Sequence, residues 1–392
     1  MRTQELIHPT NPTKTLWSSP AGLLAPRTTE QTLDKVACGL MERKTDPYRS
    51  RSTLLGPFRQ PCVRRLALSQ HAPHRWGVVL AGGDGERLRE LTRWMYGEDR
   101  PKQFCQLLGN RTLLEEARQR AERSFPPEQI LFALTRAHEK HYLRYLADRP
   151  SQRIVQPLNR GTAPAILSTL TRIAQADPDA VVSILPCDHY YSSESAFTAA
   201  LESALEIAEQ RTDSVVLLGA EPNQAETEYG WIEVGETTGG HSGLFRVEGF
   251  KEKPALALAQ ALLRKNCLWN TFVMVGHVGA FLEMARTAAS RLLQMLESAL
   301  VRSNPSGEIR IPDSVYGKIP RMDFSRHILP LATERLLAFR LKNIEWNDLG
   351  DPYRVLVTLL EMNGDLPEWA RLCRLHPPCP RWRLLRRSNR TR

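Results

Sequence analysis

No run of 18 or more apolar residues occurs in the 392-residue sequence, which excludes a membrane-spanning helix. The N-terminus lacks the charged start and apolar stretch of a secretory signal. Acids at Glu5, Glu30, Asp34, Glu42 and Asp46 count against a transit peptide. No Cys-x-x-Cys pair exists among the seven cysteines, and their odd number argues against a disulfide framework. Cys373 and Cys379, with His376 between them, have too few neighbouring ligands for a zinc site. A reduced, cytoplasmic protein is the class these absences leave. No Gly-x-x-x-x-Gly-Lys-Ser/Thr is present, which removes the P-loop, and neither a hexapeptide repeat nor an internal duplication is found.

The net charge of +10 is concentrated at the ends of the chain. Residues 1–75 hold 12 Lys/Arg against 5 Asp/Glu, and residues 371–392 hold 8 Arg and no acid. The body between them, 76–370, is therefore mildly acidic at −5. Nucleic-acid binding by the folded part is not indicated. The terminal arginines, from Arg381 to Arg392, read as a solvated basic tail. Residues 1–75 have no sustained period and are punctuated by Pro, Ser and Thr, so a poorly ordered extension is expected there. The folded domain is expected over 76–362, with the tail from 363 to 392.

From Trp76 the texture changes to alternating strands and helices. Strands are predicted at 77–81, 130–134, 153–156, 181–185 and 214–219, and helices at 111–123, 138–147, 162–176 and 195–210. This alternation predicts an α/β fold with a mostly parallel sheet and helices on both faces. Beyond about 225 the strands Trp231–Val234, Phe245–Val247 and Phe272–Val275 read as mixed or antiparallel, with helices near 255–264 and 277–300. A strand pair near 335–346 and a helix from about Pro352 to Met362 follow.

Four segments sit where chemistry is expected. Leu80-Ala81-Gly82-Gly83-Asp84-Gly85-Glu86-Arg87-Leu88 follows the first strand. Glycines Gly82, Gly83 and Gly85 let the backbone turn tightly and aim N–H groups at an anion. Arg87 and Lys102, the latter in Pro101-Lys102-Gln103-Phe104, add two cations, a set suited to a triphosphate. A dinucleotide fingerprint fails because Leu88 stands where its third glycine belongs. Asp188 follows the strand 181–185, and Asp348 lies in Trp346-Asn347-Asp348-Leu349-Gly350. Each reads alone as a turn or cap aspartate; together they offer two hard oxygen ligands for Mg²⁺ against phosphate.

Gln156 ends a strand and opens Gln156-Pro157-Leu158-Asn159-Arg160-Gly161-Thr162-Ala163-Pro164-Ala165. Its amide offers the paired donor and acceptor that a base edge requires, Gly161 allows close approach, and Thr162 starts the next helix. The same stretch also reads as a proline-marked loop with a helix cap. Glu252-Lys253-Pro254 follows the strand from Phe245. Out of context Lys251-Glu252-Lys253 is a solvated charge cluster; in context Lys253 suits a phosphate and Glu252 a sugar hydroxyl. Gly230 and Asn270 complete a set suited to sugar hydroxyls, beside Trp269, which reads as core.

Gly-Gly-x-Gly-x-Arg-Leu followed by Pro-Lys resembles the signature of the sugar-1-phosphate nucleotidyltransferases. Pro-Lys-Gln-Phe and Gly-Thr-Ala-Pro-Ala resemble the mannose-1-phosphate guanylyltransferase branch, with the match running from about 76 to 356. The resemblance implies a glycosyltransferase-A-like Rossmannoid three-layer sandwich with a mixed, mostly parallel sheet. It also implies GTP and mannose 1-phosphate as substrates, GDP-mannose and pyrophosphate as products, and Mg²⁺ as cofactor. By this resemblance Leu80, Gly82, Gly83, Gly85, Gln156, Gly161 and Thr162 bind the nucleotide. Arg87, Lys102 and Asp188 are catalytic, Asp188 and Asp348 hold the metal, and Gly230, Glu252, Lys253 and Asn270 bind the sugar phosphate. The resemblance allows a homodimer. Another nucleotide and sugar phosphate pair, or a regulatory paralogue without catalysis, are the alternatives. The segment Trp94 to Asp99 reads as an insertion in the loop over the nucleotide, and Asn-Arg-Gly displaces the usual Arg-Asn of the base segment. The chain ends too early for the isomerase domain of bifunctional relatives, so one activity is expected.

Overall fold

Buried β-branched and aliphatic runs build the centre of the protein. In the computed structural model, residues 74–375 are described, apart from 150–151, 239, 241–242, 301–306 and 363–365. The expected N-terminal extension up to residue 73, the basic tail from 376, and Cys38, Cys62 and Cys379 lie outside the described residues.

In chain order the elements are β1 (Arg75–Leu80), α1 (Arg89–Tyr96), α2 (Leu113–Ala121), β2 (Ile130–Thr135), α3 (Glu139–Leu146), β3 (Arg153–Gln156), α4 (Thr162–Ala176) and β4 (Val181–Pro186). Then come β5 (Tyr190–Tyr191), α5 (Glu194–Gln210), β6 (Val215–Ala220), β7 (Gly230–Thr237), β8 (Leu244–Glu252), α6 (Leu256–Arg264), β9 (Leu268–His277) and α7 (Val278–Leu300). The last are β10 (Ile309–Arg310), α8 (Asp313–Tyr316), α9 (Phe324–His327), β11 (Leu336–Leu341), β12 (Trp346–Asn347), α10 (Pro352–Glu361) and α11 (Glu368–Leu375).

The main sheet has ten strands in the order β10-β3-β2-β1-β4-β9-β6-β11-β8-β7. From β10 to β4 every neighbour is parallel. β9 runs against both β4 and β6, and β8 runs against β11 and β7. The sheet is thus mixed, and the parallel half is the part where strands and helices alternate in sequence. β2, β4 and β6 are buried along their whole lengths, as strands covered on both faces must be. One face carries α4 and α7 over Val78, Val182, Ile184 and Met274. The other carries α2, α5 and α6 over Phe132, Leu185, Leu218 and Trp231. This is a three-layer α/β/α arrangement.

Helix starts follow local chemistry. Thr112 and Glu115 form a reciprocal capping box at α2, and Ser193 caps α5. Asp351 accepts from the N–H groups of Tyr353 and Arg354 ahead of Pro352, which opens α10.

Two expectations are corrected. The segment Trp94 to Asp99 is not all loop: Trp94–Tyr96 are the last turn of α1 (Arg89–Tyr96), closed by Gly97 in the left-handed conformation. Leu88, Leu91 and Met95 give it an apolar stripe at helical spacing, packed with Leu349, Val355 and Trp369 in a small third core. The strands near 335–346 do not pair with each other. β11 lies inside the main sheet beside β6, whereas β12 pairs with β5 in a separate two-stranded ribbon. That ribbon brings Asp348 to the site.

Phe104, 1% exposed, lies edge-on to His138 and stacks on His141. Burial holds both histidines below their ordinary value of 6.5, His141 at about 4. The unfolded chain therefore binds more protons than the folded one between pH 6.5 and about 4. Stability is expected to be full above this window and to fall as pH drops through it. Urea midpoints across the range should show this slope, reduced in His141→Phe; an equal slope in that variant contradicts the assignment.

Candidate active site

The loop after β1 owes its shape to its neighbours. Gln103 donates from Nε2 to the carbonyls of Ala81 (3.0 Å) and Gly83 (2.7 Å). Thr135 Oγ1 donates to the Gly82 carbonyl at 2.9 Å. Pro101-Lys102-Gln103-Phe104 therefore divides its labour: Phe104 enters the core, Gln103 pins the glycine loop, and Lys102 faces the site. Gly85 has φ +62°, and a Cβ there would meet the Lys102 backbone nitrogen at 2.9 Å, so the loop and the lysine turn touch only because the residue is glycine.

Lys102 is buried at 9% exposure, and its ammonium sits among three acceptors. It donates to the carbonyls of Asp348 (2.7 Å) and Leu349 (3.2 Å) and pairs with Asp188 Oδ2 at 3.1 Å. Asp188, placed one residue past Cys187 at the end of β4, and Asp348, just past β12, are thus brought to one lysine. Arg87 joins them, with Nη2 3.4 Å from Asp348 Oδ2.

The Asp348 carboxylate is nearly enclosed. Burial alone would raise its pKa, but Lys102, Arg354, His189 and Arg87 outweigh burial and hold it below the usual aspartate value. Its Oδ1 accepts from Arg354 Nη1 and the Gly350 N–H, both at 2.8 Å, and from Tyr229 Oη at 3.4 Å. Arg354 also pairs with Glu226 at 2.8 Å and lies over the Tyr229 ring at 4.5 Å. His189 accepts from the Trp346 indole N–H at Nδ1 (3.3 Å). Since indole only donates, the neutral ring carries its proton on Nε2, toward Asp188; burial keeps this histidine at about 4.

A pocket of about 310 Å³ opens beside this cluster. Leu80, Gly82 and Gly83 form one wall, Gln156, Gly161 and Thr162 another, and Asp188 with His189 the floor. Most of the expected nucleotide residues therefore share one cavity. Gln156 is 2% exposed and already engaged: its Oε1 accepts from Tyr316 Oη and its Nε2 donates weakly to the Leu134 carbonyl. Asn159 ties the two glycine segments together, donating to Asp84 Oδ2 at 2.8 Å and accepting from the Gly161 N–H at 2.9 Å.

Gly161 has φ +88°, and a Cβ there would run into the Met322 carbonyl. Gly161→Ala is expected to cost about 1–3 kcal/mol, the range for a non-glycine residue held in a disfavoured backbone region. The urea midpoint should fall with its slope unchanged; an unaltered midpoint would show that the loop relaxes freely.

The residues expected to bind the sugar phosphate form a second group. A Cβ on Gly230 would lie 2.8 Å from Glu252 Oε2 and 3.3 Å from Asn270 Cβ, so these three are neighbours. Burial raises the Glu252 pKa, opposed by its hydrogen bond with Ser325 and by Lys253 and Arg326. Lys253, at φ +48°, pairs with Glu228 at 3.4 Å, and Glu228 in turn lies 3.6 Å from Arg87. Asn270 Oδ1 accepts from the Phe272 N–H at 3.1 Å, and Phe272 in turn lines the pocket.

Several site residues escaped the sequence reading. Arg321 and Asp323 line the same pocket from a segment stitched to the start of α4 by Ala163 N–H to Met322 O (3.0 Å) and Phe324 N–H to Thr162 Oγ1 (2.8 Å). Arg354 and Tyr229 support Asp348 from α10 and the loop before β7. Only Arg354 carried a signal, one turn beyond the Asp-Pro helix start.

Comparison with known proteins decides the family. A model of the nucleotidyl transferases matches residues 76–360. The chain belongs to that family. Among its relatives, the xanthan biosynthesis protein XanB of Xanthomonas campestris pv. campestris (strain B100) is 28% identical over 73% of this chain and 60% of its own length. The mannose-1-phosphate guanylyltransferase of Escherichia coli K12 is 30% identical over 70% of this chain and 57% of its own. The chain thus spans about 60% of the length of such curated relatives. Among solved structures, the Thermus thermophilus protein described as a mannose-1-phosphate geranyltransferase aligns with TM-score 0.61 at 32% identity, covering 71% of this chain and 76% of that one. The Helicobacter pylori mannose-6-phosphate isomerase structure, TM-score 0.56 and 20% identical over 70% of this chain and 99% of that one, is alike in fold. Among the described residues no helix is long and apolar enough to cross a membrane.

Proposed function

We propose that the chain is a mannose-1-phosphate guanylyltransferase, joining GTP and mannose 1-phosphate to give GDP-mannose and pyrophosphate. The observation that carries this reading is the meeting of Lys102, Asp188 and Asp348 beside a pocket walled by the glycine loop. Likeness to the guanylyltransferase of Escherichia coli supports the choice of substrates.

The chemistry requires two anions to meet. A phosphate oxygen of the sugar phosphate forms a bond to the α-phosphorus of GTP, the α–β bridge breaks in line with it, and pyrophosphate leaves with the electron pair. The attacking oxygen is already ionised at neutral pH, so no general base is needed. The protein's task is alignment and charge stabilisation. N–H groups at Gly82, Gly83 and Gly85 cradle the triphosphate, with Arg87 beside them. Lys102 faces the charge that develops at the α-phosphate. Gln156, Gly161 and Thr162 contact the base, and Gly230, Glu252, Lys253 and Asn270 contact the sugar phosphate.

Among the described residues there is no cluster of three or more His, Cys, Asp or Glu able to cage an ion. The Asp188 carboxylate paired with Lys102 and the Asp348 carboxylate facing Arg87 are the donor type that suits Mg²⁺, which is commonly held by one or two carboxylates together with substrate phosphates. Asp188 and Asp348 would hold it, and when bound it neutralises phosphate charge.

The test is transfer of label from α-³²P-labelled GTP into a phosphatase-resistant product. Transfer is expected only when mannose 1-phosphate and Mg²⁺ are both present; transfer without the sugar phosphate would overturn the reading.

A further inference from the structure

Phe272 stands in the left-handed region, at φ +61°, in the middle of β9. Glycine takes that conformation freely; a bulky side chain there is strained. Such strain persists only where the surrounding fold enforces it, and it collects at ligand sites.

A break in the ladder enforces it here. β9 pairs with β6 from Val215 to Leu217 and again at Gly219 and Ala220, with the register shifted between Leu217 and Gly219. At the shift, Thr271 Oγ1 donates to the Leu218 carbonyl at 2.6 Å and accepts from the Val273 N–H at 3.3 Å. The Phe272 N–H donates to Asn270 Oδ1 at 3.1 Å, which sets the way the Asn270 amide is turned.

What Phe272 faces follows from its place in the sheet. The glycine loop leaves the end of β1, and Asp188 lies just past the end of the neighbouring strand β4. β9 runs antiparallel beside β4, with Met274 opposite Ile184, so Phe272 comes next to the end of β4. It lines one pocket with Gly82, Gly83, Pro186 and Asp188, and its partly buried side chain packs on the core face that carries α4. Beyond it lie Asn270, Gly230 and Glu252, which are mutual neighbours. Gln156 ends β3, four strand spacings away, about 19 Å. Phe272 therefore stands at the seam between the phosphate end of the pocket and the sugar residues, on the side remote from the base.

We infer that Phe272 is a specificity-determining residue for the sugar. The bulge holds its ring against one face of the sugar ring, while Asn270, oriented by the same bulge, meets the hydroxyls. This assignment rests on the transferase reading above and adds the residue that shapes the sugar's place.

Pyrophosphate release is measured for the full chain, Phe272→Ala and Phe272→Gly, with the nucleotide and sugar phosphate pair the parent uses and with competing sugar phosphates. KM for the sugar phosphate is expected to rise about tenfold or more in both variants, KM for the nucleotide to move less than about twofold, and discrimination among sugar phosphates to narrow. Urea midpoints should place Phe272→Gly above Phe272→Ala, the reverse of the order in an ordinary strand, because glycine takes φ +61° without cost. An equal rise in both KM values is the mark of a packing role, and a rise for the nucleotide alone puts the ring on the base; either overturns the assignment. A Phe272→Ala midpoint at or above that of Phe272→Gly overturns it too. An active parent whose sugar KM is unmoved in the variants refutes this inference alone, whereas a parent inactive with every pair refutes the transferase reading and this inference with it.

Discussion

Lys102→Ala is expected to lower turnover about 10²–10³-fold, the loss typical of removing one preorganised electrostatic donor. The ammonium is buried and fixed by two backbone carbonyls at 2.7 and 3.2 Å, so it needs no rearrangement to meet developing charge. Fixed charge in a water-poor site acts more strongly than the same charge in solvent. The effect should fall on kcat rather than KM, because the bound triphosphate keeps its backbone donors and Arg87. Lys102→Arg should not restore the rate, since a planar fork cannot replace a compact ammonium in this space. The variant also frees the Asp348 and Leu349 carbonyls, so its thermal midpoint must be measured alongside. A fall of less than fivefold in folded protein would remove Lys102 from this role.

Asp188→Asn carries the second large effect, again about 10²-fold or more in turnover. The change keeps the shape of the side chain and removes the charge that pairs with Lys102 at 3.1 Å. Asp188 is more exposed than Asp348 and has fewer partners, so its loss should disturb folding little. Asp348→Asn, by contrast, leaves Arg354 with one fewer carboxylate in a nearly enclosed position, and mixes stability with catalysis. If Asp188 holds Mg²⁺, the Mg²⁺ concentration giving half-maximal rate should rise along with the fall in kcat. A normal Mg²⁺ response at reduced rate would make Asp188 an electrostatic partner of Lys102 instead.

What the sequence made legible follows from range. The glycine loop, Pro101-Lys102 and the aspartates at strand ends were readable because the chemistry is written in adjacent residues. The parallel half of the sheet was readable for the same reason: each strand is followed by its own helix. Helix α1 was missed because Arg89, Glu90 and Arg93 crowd its start with charge, although Leu88, Leu91 and Met95 carry the helical period. The β5–β12 ribbon was missed because two-residue strands leave no pattern. Gln103 read as part of a motif without a task; its hold on the Ala81 and Gly83 carbonyls exists only once the chain has folded back. Arg321 and Asp323 stand some 160 residues from Gly161, and nothing local in the chain announces that their segment is hydrogen-bonded to the loop between β3 and α4.

The central claim is the pairing of a guanine nucleotide with mannose 1-phosphate. The most direct test is pyrophosphate release by the purified full chain with Mg²⁺, across ATP, GTP, CTP, UTP and dTTP against mannose, glucose and heptose 1-phosphates. Release confined to GTP with mannose 1-phosphate is the expected result. Release with a different pair, or from no pair while the folded protein still binds GDP-mannose, would contradict it.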